Sequence, residues 1–159
     1  MKANFVITNP VHFLALGFGS GLMKPAPGTW GTIAAVPLIL LTSYFVAFDS
    51  YLFVFICVLS FILGIYLCGK AARDVGVHDH SAIVWDEFVG LFVSMMWLPM
   101  NWKTLLLAFL LFRLFDILKP WPISWLDKHV HGGFGIMVDD VLAGMMACGV
   151  IHILLALGL

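Results

Sequence analysis

Two stretches of the chain hold residue types that are hard to account for in any role but chemistry. The first is HDHSAIVWDEFVG, residues 78–90, in which Asp86 and Glu87 stand between the apolar runs IVW and FVG. One carboxylate at a helix start is favoured by the helix dipole. Two adjacent ones between strongly apolar neighbours point instead to metal binding or catalysis. The second is HVHGGFGIMVDDVLAG, residues 129–144, which repeats the plan: an H-x-H pair, a short apolar or Gly-containing stretch, the acids Asp139 and Asp140, then an apolar helix containing Gly. Two acidic pairs at two helix entrances, with Asp79 nearby, offer oxygen ligands for a hard divalent cation. Mg²⁺ is the natural candidate, since it favours one or two carboxylates together with phosphate oxygens of a substrate. His78, His80, His129 and His131 match structural zinc spacing poorly, and a proton donor, His80 or His131, is the better use for them. His12 and His152 read as structural.

A third stretch, FRLFDILKPWPISWLD at 112–127, spaces Arg113, Asp116 and Lys119 at i, i+3 and i+6 near one helix face. That pattern fits either a salt-bridge ladder or a site in which Asp116 orients a cation or a water while Arg113 and Lys119 grip phosphate. Pro120 and Pro122 end the helix. A fourth region, GFGSG at 17–21 and KPAPGTWGT at 24–32, lets backbone N–H groups approach an anion, with Lys24 adding charge. It lacks Walker spacing. Several phosphatase devices are excluded by pattern. Cys68 and Arg73 are one residue too close for a C-x5-R loop, no DxD pair offers an aspartyl nucleophile, and there is no SR-x5-H-x3-D arrangement and no G-x-S-x-G elbow. Acids plus cations remain, so metal-assisted chemistry is the default.

The elements that must carry these groups are membrane helices. Of 159 residues, 62% are hydrophobic and 11% charged, against about 45–50% and 25% in soluble domains. The mean hydropathy is +1.06. Disorder, a coiled coil and a nucleic-acid partner are excluded; a net charge of −1 gives no footprint for a polyanion. The expected fold is all-α: a polytopic membrane protein in one domain, 1–159, with four to five spans and a short re-entrant or interfacial helix at 11–23. The candidate spans are 32–48, 50–69, 87–100, 102–118 and 141–159, and 70–87 and 119–140 are polar islands between them. With the N-terminus in the cytoplasm, seven of the eight Lys and Arg residues fall on or near the cytoplasmic side, leaving Lys103 outside. Both islands then face the cytoplasm. Trp97, Trp102, Trp121 and Trp125 lie near span ends, as an aromatic belt requires. Cys57, Cys68 and Cys148 sit in apolar runs without metal spacing, and no cleavable signal peptide is expected.

The motifs GFGSGLMKPAPGTWGT, DVGVHDHSAIVWDEFVG and FRLFDILKPWPISWLDKHVHGGFGIMVDDVLAG, in that order over residues 9–144, resemble the phosphatidylglycerophosphatase A family of bacterial inner-membrane enzymes. Thr32 stands where the family more often has Ser, and it keeps the hydroxyl. The resemblance implies Mg²⁺-dependent hydrolysis of phosphatidylglycerol phosphate to phosphatidylglycerol and phosphate, in the cytoplasmic membrane and on a phospholipid substrate. Role by role, the expectation from the residues is that Asp79, Asp86, Glu87, Asp139 and Asp140 hold metal. Arg113, Lys119 and Lys24 hold phosphate, and Asp116 or His80 moves a proton. Another lipid phosphate, phosphatidate or an isoprenoid pyrophosphate, stays open as substrate. An ion-coupled transporter is the alternative of a different class. It fits less well, because the ionisable groups collect on one side and the external loops are nearly empty.

Overall fold

The computed structural model describes residues 4–78 and 80–158; the expected ligand Asp79 lies outside the described residues. Among them every regular element is helical. A six-residue helix α1 (Pro10–Ala15) and a 3-10 turn (Ser20–Leu22) precede α2 (Pro27–Phe45), α3 (Tyr51–Val75), α4 (Trp85–Ser94), α5 (Trp102–Leu118), α6 (Ile123–His129) and α7 (Gly132–Ala156).

Local chemistry sets most of the boundaries. Pro27 fits the first turn of α2 because its missing N–H has no partner there in any helix. Ser50 caps α3 by accepting the Phe53 N–H at 3.2 Å, and Gly76, in the left-handed region at φ +70°, ends it. Asn101 caps α5 by accepting the Thr104 N–H at 3.0 Å.

Three helices, α2, α3 and α7, are long and apolar enough to cross a bilayer. Their outward faces carry bare Tyr44, Phe45, Tyr51, Phe55, Leu59 and Ile62, a surface that suits lipid rather than water. The chain is thus a helical membrane protein. The expected third and fourth spans are shorter: α4 has 10 residues and α5 has 17, about 15 and 26 Å of helix against a hydrocarbon core of about 30 Å.

The last helix departs from the expected 141–159. It begins at Gly132, so nine residues assigned to a polar island are helical. Glycine-rich sequence reads as a helix breaker by propensity, but here tertiary packing overrides it. A Cβ on Gly133 would run into the Ile65 carbonyl and the backbone of Gly69 on α3, so bare backbone at this crossing is what lets α7 extend. Asp139 and Asp140 accordingly stand in the third turn of α7, not at its entrance.

α7 packs against α3, α4, α5 and α6, and the fully buried Phe53, Leu91, Phe112, Met137 and Ile151 fill the space around it. The two polar islands meet at one end, where the Gly132 N–H donates to His78 Nε2 at 2.8 Å. At the other end the Trp97 N–H donates to the Phe48 carbonyl at 2.9 Å. The turn after α4 therefore reaches the level of the α2–α3 turn.

Candidate active site

Asp86 and Glu87 occupy the first turn of α4, where the helix dipole favours negative charge. Asp140 comes from α7, which runs in the same direction. The crossing that joins them can be traced to glycine. A Cβ on Gly144 would strike the Gly90 carbonyl, and one on Gly90 would lie 3.0 Å from the Asp140 carbonyl. Gly90 is four residues after Asp86, and Gly144 four after Asp140. One helical turn above this contact the two carboxylates face each other.

The result is a buried carboxylate cluster. Asp86, Glu87 and Asp140 are 7%, 8% and 4% exposed, and each offers an oxygen within 4.8 Å of the others. Glu87 Oε2 and Asp140 Oδ2 make no hydrogen bond among the described residues. Desolvated like charges with spare lone pairs are costly unless a cation neutralises them. All the donors are hard oxygens, so the residues fit Mg²⁺ or a similar divalent ion.

Arg113, on α5, supplies the counter-charge. Its Nη1 lies 3.8 Å from Glu87 Oε1 and donates to Asp116 Oδ2 one turn along the same helix. Its Nε is buried with no acceptor among the described residues. Asp116 is tied to the same centre through Arg113, which lies between its carboxylate and that of Glu87. The start of α2 closes over this group. A Cβ on Gly28 would collide with Glu87 Oε1 and stand 3.1 Å from both terminal nitrogens of Arg113. The Thr32 hydroxyl donates to the Gly28 carbonyl at 2.8 Å and so holds that turn in place.

The other expected site residues are distributed differently. Asp139 is not one of the three clustered carboxylates: Lys119 Nζ donates to its Oδ2 at 2.7 Å and to Asp127 Oδ1 at 2.6 Å. Burial works against the Lys119 ammonium, yet the bonds to Asp127 and Asp139 outweigh it and hold its pKa above the ordinary lysine range. Lys119 thus fastens the end of α5 to α6 and α7. Lys24 and His80 line a separate cavity of about 730 Å³ beside Pro27. The two H-x-H motifs do meet, with the His78 and His131 rings edge to face at 5.6 Å. His129 instead stacks on Trp125, one helical turn earlier.

Two features are not visible in motif spacing. One is the approach of the Gly28 backbone; the Gly-rich loop hinted at an anion site but not at contact with Glu87. The other is a second polar cluster. His12 Nδ1 accepts the Val6 N–H at 3.0 Å, so Nε2 carries the proton and donates to Asp74 Oδ2 at 3.1 Å. Lys70 closes the same carboxylate at 2.5 Å. His12 thus docks α1 onto α3.

A bundle of apolar helices with a buried carboxylate–arginine centre at one end defines a helical membrane protein with a candidate polar site. The comparisons make the class specific: a family model described as phosphatidylglycerophosphatase A matches residues 13–155, and the chain belongs to that family. It is 45% identical over 152 residues to a phosphatidylglycerophosphatase A of Escherichia coli (strain K12), covering 95% of this chain and 87% of the relative. It is 53% identical over 144 residues to one of Haemophilus influenzae, covering 89% and 86%. A putative phosphatidylinositol-3-phosphatase of Bacteroides thetaiotaomicron is 35% identical over 137 residues, covering 83% and 85%. No solved structure matches the chain. Membership makes the protein a phosphatase, a hydrolase of phospholipid metabolism.

Proposed function

We propose that the protein removes the terminal phosphate of phosphatidylglycerol phosphate, giving phosphatidylglycerol and inorganic phosphate, with Mg²⁺ as cofactor. The observation that carries this reading is the buried Asp86–Glu87–Asp140 cluster with Arg113 beside Glu87. The family relatives named for that activity support the substrate.

The acyl chains stay in the bilayer and the phosphomonoester enters the polar end of the bundle. Asp86, Glu87 and Asp140 would hold Mg²⁺, which when bound neutralises phosphate charge and lowers the pKa of a water. Arg113 binds the phosphoryl oxygens as a planar two-pronged donor. Asp116, beside both Arg113 and Asp140, orients the attacking water and accepts its proton. His80 Nδ1 accepts the Ala82 N–H at 3.1 Å, so Nε2 is the ring's donor and returns a proton to the departing glycerol oxygen. Lys119, held by Asp127 and Asp139, adds positive charge at the rim.

The same reading covers the frame. The whole chain forms one domain. The three long helices cross the bacterial inner membrane, α5 crosses as a fourth, and α4 with the turn after it makes a fifth passage. The bias of Lys and Arg toward the site end supports an N-terminus and a site in the cytoplasm. The test is phosphate release by the purified protein from phosphatidylglycerol phosphate, phosphatidate and an isoprenoid pyrophosphate. The first is expected to be turned over with the highest kcat/KM. Equal or faster release from either of the others would overturn the substrate assignment.

A further inference from the structure

The cavity of about 730 Å³ beside the acid cluster is lined by Phe5, Lys24, Pro27, His80 and Ser81, among others, with no carboxylate among the described residues that line it. Its described lining carries the Lys24 ammonium, where the centre next door gathers three carboxylates. Lys70, Arg113 and Lys119 are each tied to carboxylates; Lys24 makes no ion pair among the described residues. The two spaces share a wall. Pro27 lines the cavity, while the next residue, Gly28, touches Glu87 and the Arg113 guanidinium, and consecutive Cα atoms are only about 3.8 Å apart. A ligand with two phosphates a few bonds apart fits this layout. Its phosphomonoester would lie at the carboxylate–arginine centre and its second phosphate beside Lys24.

We propose that Lys24 is a specificity residue: it binds the internal phosphodiester of the lipid substrate and so selects lipids carrying a diester next to the reacting monoester over lipids with one phosphate. The proposal rests on the functional reading above. A diester needs charge and hydrogen-bond donors but no chemistry, and a flexible ammonium with three donors serves that purpose where the reacting phosphate takes the planar guanidinium. Because the diester is unchanged by the reaction, Lys24 holds substrate and transition state equally well, and its loss weakens binding rather than turnover.

The experiment is steady-state phosphate release from phosphatidylglycerol phosphate in mixed micelles by the intact protein, Lys24→Gln and Lys24→Arg. For Lys24→Gln the expected result is a KM raised about tenfold with kcat within about threefold, and Lys24→Arg restoring most of the loss. Glycerophosphoglycerol, a soluble diester without a monoester, is added as a competitor. It is expected to inhibit the unaltered protein and to do so about tenfold more weakly in Lys24→Gln. A KM within twofold of the unaltered protein, or equal inhibition of both, overturns the assignment of Lys24. A fall in kcat without a rise in KM, or a loss that Lys24→Arg does not restore, overturns it too. If the unaltered protein releases no phosphate from this lipid, the functional reading itself fails and this one with it.

Discussion

Gly28 shows how a residue without a side chain can define a site. A Cβ there would meet Glu87 Oε1 and both terminal nitrogens of Arg113, so anything larger displaces this carboxylate–guanidinium pair. The neighbours are ends of flexible side chains, so an added methyl shifts them rather than unfolding the helix. Gly28→Ala is therefore expected to lower kcat by about 10- to 100-fold, the usual consequence of an ångström-scale misplacement, while the thermal midpoint of the purified protein stays within about 2 °C. Unimpaired turnover would show that the start of α2 does not shape the centre. The acids themselves were conspicuous in the sequence, because paired charge between apolar runs has few uses. What the sequence withheld was their orientation. Adjacent residues on a helix point about 100° apart, so of Asp139 and Asp140 just one could face Asp86. Which one depends on where α7 begins and how it is rotated.

At the scale of elements, small residues do the positioning. Gly90 against Gly144, and Gly69 against Gly133, bring α4 and α3 to backbone contact with α7. Interhelical packing of this kind replaces the hydrophobic driving force that water would supply. Three of these glycines fall inside the candidate spans, and the start of α7 was misplaced because the charged and histidine residues of 119–140 marked that stretch as a polar island. Apolar runs located the long helices, and the run at 88–100 was already short in the sequence, as α4 is in the fold.

The short α1 is held differently, by a buried histidine. His12 accepts from Val6 and donates to Asp74, and Asp74 keeps Lys70 as a second partner. His12→Ala leaves the Val6 N–H without its acceptor, at a cost of about 1–3 kcal/mol. The expected outcome is a thermal midpoint lowered by about 2–8 °C in detergent, with the acid cluster untouched. A midpoint within about 1 °C of the unaltered protein would mean that α1 is held by its apolar contacts alone.

For the whole molecule, the charge distribution was the most legible property. Thirteen of the seventeen charged residues fall within 70–87 and 113–140, and the fold gathers both stretches at one end. Three helices are long and apolar enough to cross, and the proposed five passages would put the two termini on opposite sides of the membrane. A C-terminal alkaline phosphatase fusion is then expected to be active and a C-terminal fluorescent protein dark, with the reverse at the N-terminus. A fluorescent C-terminal fusion would require an even number of passages. Composition does not decide the passage count, because α4 is only 10 residues long and the turn after it reaches the α2–α3 turn without being helix.

A divalent-cation site formed by Asp86, Glu87 and Asp140, on which phosphate release depends, can be probed by titrating Mg²⁺ into chelator-treated protein and following phosphate release from phosphatidylglycerol phosphate, with Asp140→Asn in parallel. The expected result is no turnover after chelation, full recovery on adding Mg²⁺, and a recovery in Asp140→Asn lowered at least about 100-fold, since one ligand and one buried charge are lost. Turnover that survives chelation, or an Asp140→Asn protein that responds to Mg²⁺ like the unaltered one, would contradict it.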